Sequence, residues 1–349
     1  MKKIIITVLT IILLIMIIIS PDVCINGASK GVLVCGNIIV PSLFPFSVFV
    51  LFLLNCNIIE KMTFIERFSL KVFNQTADMF FIMLFSMLGG YPIGARLINE
   101  LYKNHKLSKT DAHIMQCYCV NAGPAFIAVA IGQGILHSKK AGFLMLTSHI
   151  IASIVIALIF KGKIKHQTTY FKTSYKSHES ISDIFVNSTA QAASAVLSIC
   201  SFVILFSVIT AYFNALSVRF ALFKTLSILC EVTTSVSNIK NIYLISFLLG
   251  FSGFAVWFQV LSCSKDCGVN LPLFSLSRIL HGTISSLIMF ILLNIFKIEI
   301  NTISNTQVGN ISYSTNNLAI AFSLLIMVIM LIISSNGKNH SRKILNDVI

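Results

Sequence analysis

The sequence predicts an all-α polytopic membrane protein with about eight transmembrane helices plus re-entrant or broken helices, and three observations predict it. Of the 349 residues, 56% are apolar and only 11% are charged, against about 45–50% and about 25% in soluble domains. Mean hydropathy is +0.88. The apolar residues also fall into runs long enough to cross a bilayer. A soluble globular protein, a disordered chain and a coiled coil are excluded on these grounds.

Net charge is +14, but the lysines and arginines lie in short segments between apolar runs. That pattern fits positive-inside loops facing anionic headgroups, not a nucleic-acid surface, and no nucleic-acid-binding motif is present. The nine cysteines sit mostly inside apolar runs, where cysteine behaves as a small hydrophobe. Their spacing suits neither a zinc site nor a disulfide framework.

Taken in order, residues 4–20 predict a retained N-terminal anchor helix, since Ser20-Pro21-Asp22-Val23-Cys24 offers no cleavage pattern. Further spans are expected at 38–57, 112–136, 141–160, 190–213, 241–261, 271–296 and 317–335. Residues 79–95 read as a re-entrant hairpin, and 216–230 as a shorter interfacial or re-entrant piece. The basic loops at 60–71, 99–111 and 161–176, with Lys2, Lys3, Lys338, Arg342 and Lys343, place both termini on the cytoplasmic side. The expected organisation is an anchor at 1–27, a first membrane repeat at 28–160, a basic cytoplasmic loop at 161–188, a second repeat at 189–300, and a C-terminal helix and tail at 301–349.

The repeat rests on short echoes. Phe46-Ser47-Val48 returns as Phe206-Ser207-Val208, and Leu88-Gly89-Gly90-Tyr91 as Phe251-Ser252-Gly253-Phe254, an offset of about 160 residues. With the expected topology the two repeats are inverted, an arrangement that places a site between the halves at the midplane.

Helix breaks at membrane depth must be satisfied by protein or line a cavity. Gly89-Gly90-Tyr91-Pro92-Ile93-Gly94 permits a tight turn followed by a new helix opened by Pro92 and running through Arg96. Its N-terminus suits a carboxylate, a phosphate or a polar ring substituent. At Asn121-Ala122-Gly123-Pro124, Pro124 leaves the carbonyl of Val120 without its helical donor, and Asn121 adds a polar side chain at that depth. Gln116 and Gln133 are placed to face the same cavity. A third break is expected at Gly250-Phe251-Ser252-Gly253-Phe254, with Gln259 beyond it. Pro41 and Pro45 free the carbonyls of Asn37 and Pro41 beside Ser42, a candidate cation site.

Ionisable residues in or near spans are functional candidates. They are Asp78, Arg96, His149, Glu231, Arg278 and His281, with Glu231 the preferred acid and Arg278 and His281 its candidate partners. The substrate-binding set expected is therefore Ser42, Gly89, Gly90, Tyr91, Pro92, Gly94, Arg96, Asn121, Gly123, Pro124, Glu231, Gly253 and Gln259. No catalytic motif is found, so an enzyme is not expected, and neither a cofactor nor a metal centre is. The partners expected are the lipid bilayer and a small polar solute, with a cation as a further candidate.

Pro41-Ser42-Leu43-Phe44-Pro45-Phe46, Gly90-Tyr91-Pro92-Ile93-Gly94-Ala95-Arg96, Asn121-Ala122-Gly123-Pro124-Ala125-Phe126 and Gly250-Phe251-Ser252-Gly253-Phe254 with Gln259 resemble, in order and spacing, the YlbJ sporulation integral membrane proteins. That family belongs with the nucleoside-recognition, or Gate domain, proteins of spore-forming bacteria. The resemblance covers roughly residues 28–300. It implies a multi-pass protein of the bacterial cytoplasmic membrane needed for spore development. It also implies kinship with nucleoside transporters and with the membrane part of ferrous-iron transporters, and hence a transporter or channel for a small polar, nucleoside-like solute, although fold kinship does not set a substrate. The alternative is a structural or assembly protein of the spore envelope, acting through loop 161–188 or the C-terminal tail.

Overall fold

The computed structural model describes residues 2–56, 63–164, 180–218, 220–232, 236, 239 and 241–296. All regular structure among them is helical. Four helical stretches are long and apolar enough to cross a membrane, and up to six if each of two bent pairs counts as one span. The expected span at 317–335 lies outside the described residues.

Helix α1 (Lys2–Ile19) covers the stretch expected as an anchor. The chain then turns by 105° into α2 (Pro21–Val34), where Pro21 occupies the first helical turn and its missing N–H costs nothing. No span is expected between 20 and 38, yet α2 continues through a π-helical turn, Cys35–Ile39, into α3 (Val40–Asn55). The π turn lets the Val40 N–H reach the carbonyl of Cys35. A widened turn of this kind is how a helix absorbs an interrupted ladder, here just ahead of Pro41 and Pro45.

After α4 (Thr63–Phe73), α5 (Ala77–Gly89) and α6 (Ile93–Lys103) pack on one another across the expected break. Their outer ends come back together, with Lys106 Nζ 3.8 Å from Asp78, so the pair folds as a hairpin with its tip at Gly90-Tyr91-Pro92. Asp78, a candidate for the site, instead belongs to this outer end. The expected span 112–136 is not one helix. It consists of α7 (Lys109–Gln116), a non-helical stretch at 117–123 and a π-helical segment, Ala125–Ile135.

Helix α8 (Lys139–Phe160) matches its expectation. Helix α9 (Ile181–Ser217) is longer than the expected 190–213 and takes over the end of the expected basic loop. Ser180 and Asp183 form a reciprocal capping box that starts it early. At 37 residues it is about 55 Å long, more than a bilayer core requires. Helix α10 (Ala221–Cys230) folds back onto α9 and is too short to span. Helices α11 (Ile242–Phe251) and α12 (Gly253–Cys263) are two halves of one span, broken at Ser252.

Helix α13 (Leu271–Phe296) lies at the bundle edge, and only 22% of its span is buried. Leu276, Ile279, Leu287, Phe290 and Ile291 point outward, as a lipid-facing surface requires, while Ser277, Arg278, His281 and Ser285 are fully buried. The helix is thus polar inward and apolar outward, the reverse of a soluble amphipathic helix. It packs on α8 and α11, where Ser246 and Ser285 hydroxyls lie 2.8 Å apart with Ser148 beside them. Helices α2 and α3 pack on α9.

One turn ties the two halves together. Asn99 of α6 accepts from the amides of Asp266 and Cys267 at 3.0 and 3.1 Å and donates to the Asp266 carboxylate at 2.7 Å. Gln116 donates to Ser264 Oγ and to the Gly268 carbonyl. Gln116 therefore belongs to this clasp and not to a cavity, and Gln133 is exposed. Asn99→Ala removes three hydrogen bonds of about 1 kcal/mol each. Amide hydrogen exchange at 266 and 267 should accelerate by at least an order of magnitude, while exchange in the middle of α8 stays unchanged.

Candidate functional site

The site is built where three interrupted helices meet. At the first, α5 ends at Gly90, which has φ +77°, a conformation glycine adopts without the penalty of a Cβ. A Cβ on Gly90 would lie 2.8 Å from the Gly123 nitrogen. The first and second breaks therefore touch backbone to backbone. A little further on, Gly94 opens α6 directly against Cys119, where a Cβ would fall 1.8 Å from the carbonyl oxygen. At the third break, Ser252 has φ 74° and Gly253 φ 69°. The paired echo in the sequence is thus a paired break in the fold. Tyr91 connects first and third, its hydroxyl donating to the Leu249 carbonyl at 3.2 Å.

The backbone groups freed by these breaks are satisfied mainly by side chains. The carbonyl of Val120, left without a helical donor by Pro124, accepts from the Arg278 guanidinium, which also donates to Cys117. The Tyr118 carbonyl accepts from Asn121 Nδ2 at 2.9 Å and from Ser153 Oγ at 2.7 Å. The Ala122 amide donates to His149 Nε2 at 3.0 Å. At the third break, Trp257 Nε1 donates to the Phe251 carbonyl at 3.0 Å.

Two tautomers follow from these contacts. His149 Nε2 receives an N–H and so carries no proton. His281 Nε2 faces the His149 carbonyl at 3.2 Å and so carries one. The two rings lie 4.4 Å apart, centroid to centroid. Both histidines and Arg278 thus act on backbone groups, and the expected pairing of Arg278 and His281 with Glu231 is replaced by this arrangement. Asn121 is likewise a bracket, holding Tyr118 and, at 3.0 Å, Ser86 Oγ.

Beside the breaks lies a cavity of about 280 Å³, near the lower end of the range for small-molecule sites. Of the expected site residues it gathers Gly89, Gly90, Tyr91, Gly123, Pro124, Glu231 and Gln259. Phe46 and Phe126 add aromatic wall to that of Tyr91, and Ser252, absent from the expected set, adds a hydroxyl. Its signal was available in the echo that marked Gly253. Gly253 itself packs against Val232.

Glu231 stands at the C-terminal end of α10 and is 3% exposed. Gln259, on α12, is also 3% exposed, and its carboxamide makes no hydrogen bond to another described residue. Arg96 and Pro92 lie away from this cavity, around a separate void of about 10 Å³ with Ser47 and Cys263. That is room for a single water. Ser42 is in the first turn of α3, and its side chain lies outside those described. No cluster of three metal-ligating side chains occurs among the described residues.

Long apolar helices, an inward polar face on an edge helix and breaks satisfied from within define a multi-pass integral membrane protein built on interrupted helices. A curated relative carries a name that agrees with this class. The chain is 20% identical to the sporulation integral membrane protein YlbJ of Bacillus subtilis (strain 168) over 318 residues, covering 78% of each protein. The similarity to YlbJ is distant. No family model matches it, and no solved structure does.

Proposed function

We propose that this protein is a transporter or channel of the bacterial cytoplasmic membrane that passes a small polar solute through the cavity at the three breaks, in the service of spore development. One observation carries the proposal. The breaks converge on a partly open cavity of about 280 Å³ whose lining includes Glu231 and Gln259, both buried residues. Interrupted helices around a midplane site are the construction of many secondary transporters. The relative's name supplies the sporulation context. The matching breaks at Gly90 and Ser252 support two inverted repeats, with both termini cytoplasmic, and the role is conduction, not catalysis.

Filling the cavity tests this. Val256 is a buried residue on its wall. In proteoliposomes, uptake of a panel of labelled nucleosides, amines and small acids should include at least one solute carried by the wild type. Val256→Trp should reduce that uptake by at least about tenfold while monodisperse yield stays the same. Uptake equal to that of empty liposomes for the whole panel, or undiminished uptake by Val256→Trp, overturns the reading. The alternative assembly role rests on loop 161–188 and the C-terminal tail, of which 165–179 and 297–349 lie outside the described residues.

A further inference from the structure

A second space in the molecule suits an ion, and we infer that the small void between α3, α6, α9 and α12 is an anion site that takes one chloride. The inference goes beyond the solute cavity and does not depend on it. The void, of about 10 Å³, is lined by Ser47 of α3, Arg96 of α6, Ile199 of α9 and Cys263 of α12, with apolar side chains between them. No acidic side chain lines it among the described residues.

Two donors at this void have no acceptor. Ser47 is 3% exposed, and its hydroxyl has no hydrogen-bond partner among the described residues. Arg96 Nε is buried and equally without one. Arg278 donates to the carbonyls of Cys117 and Val120, whereas Arg96 meets neither a carbonyl nor a carboxylate among the described residues. Glu100, one turn further along α6, makes no ion pair with it.

A guanidinium has five N–H donors and no acceptor. Its partner must therefore be an acceptor, and a negative one also balances its charge. A water in the void would accept from Arg96 but bring two O–H groups of its own. Among the side chains lining the void, Ser47 alone offers an oxygen to receive them. A monatomic anion accepts from both donors and leaves no hydrogen unpaired. Size then selects among anions, because room for one water admits chloride and excludes sulfate, phosphate and carboxylates. Pro92 and Ile93, at the start of α6, also line the void, so the positive end of that helix favours the same ion. Ile199 lines the solute cavity as well, so the ion would tie four helices together beside one wall of that cavity.

The test uses the full chain purified in detergent in chloride-free sodium gluconate. Replacing gluconate with chloride at constant ionic strength should raise the unfolding midpoint along a saturating curve. Bromide should act as chloride does, and sulfate should give no saturating rise, only the gradual one of an excluded salt. Ser47→Ala should weaken the apparent chloride Kd at least about fivefold, the loss of one hydrogen bond to a charged group. Arg96→Gln should abolish the saturating response. Should Arg96→Gln not fold, Ser47→Ala decides alone.

Midpoints equal in chloride and gluconate overturn the inference and leave the void to a water. A saturating response to sulfate as strong as that to chloride overturns it too, since it shows an adventitious ion only. A chloride response unchanged by these substitutions places the ion elsewhere and likewise overturns the assignment to Arg96 and Ser47.

Discussion

Replacing Arg278 with leucine should cost the protein about 2–6 kcal/mol of stability. Two buried carbonyls, those of Cys117 and Val120, lose their only side-chain donor among the described residues, and an orphaned buried acceptor costs about 1–3 kcal/mol. Water cannot step in easily, because Arg278 and both carbonyl residues are fully buried. Arg278→Lys keeps the charge but offers a point donor in place of a planar fork, so it should recover only part of the loss. Unfolding midpoints of the purified variants, compared with wild type, check the order: wild type, then lysine, then leucine. Equal midpoints for lysine and arginine would show that charge alone matters at this position and that the fork does not.

That expectation depends on a contact no local pattern contains. Gly-Gly-Tyr-Pro and Asn-Ala-Gly-Pro announce breaks because glycine and proline act on their own backbone, within a few residues. The breaks were therefore legible, and so was the freed carbonyl of Val120. The group that satisfies it stands 158 residues further along the chain. From the sequence, Arg278, His281 and Glu231 were three ionisable residues with no geometry among them, and the pairing of opposite charges was the natural guess. In the fold, the carbonyls of an unwound segment won the guanidinium, and Glu231 faces a cavity instead.

Asn121 went the same way. A buried asparagine next to a broken turn can bind a ligand or mend the turn, and only the position of the Tyr118 carbonyl, 2.9 Å away, decides. The helix ends show a different failure. Ser20-Pro21 before α2 and Ser180 with Asp183 before α9 are local start signals that were present in the sequence. Membrane helices run on past the apolar stretch that identifies them, so hydropathy marks the part in lipid and capping marks the end.

The close approach of the breaks gives the second large effect. Gly94→Ala places a methyl group 1.8 Å from the Cys119 carbonyl oxygen. The obstacle is backbone, already pinned through Cys117 and Val120, so the strain has no flexible side chain to absorb it. Gly90→Ala adds an unfavourable φ to a clash with the Gly123 backbone. Each substitution should cost about 3 kcal/mol or more and sharply lower the yield of monodisperse protein. Gly162→Ala is the control, since nothing lies within 4 Å of its added Cβ, and it should be silent. A detergent-stability scan of the three variants separates two cases. If Gly90→Ala and Gly94→Ala fail and Gly162→Ala does not, the breaks are held backbone to backbone and the cavity has a rigid floor. If Gly94→Ala is tolerated, the α6 start can move away from 117–124. The floor is then the part of the cavity that yields.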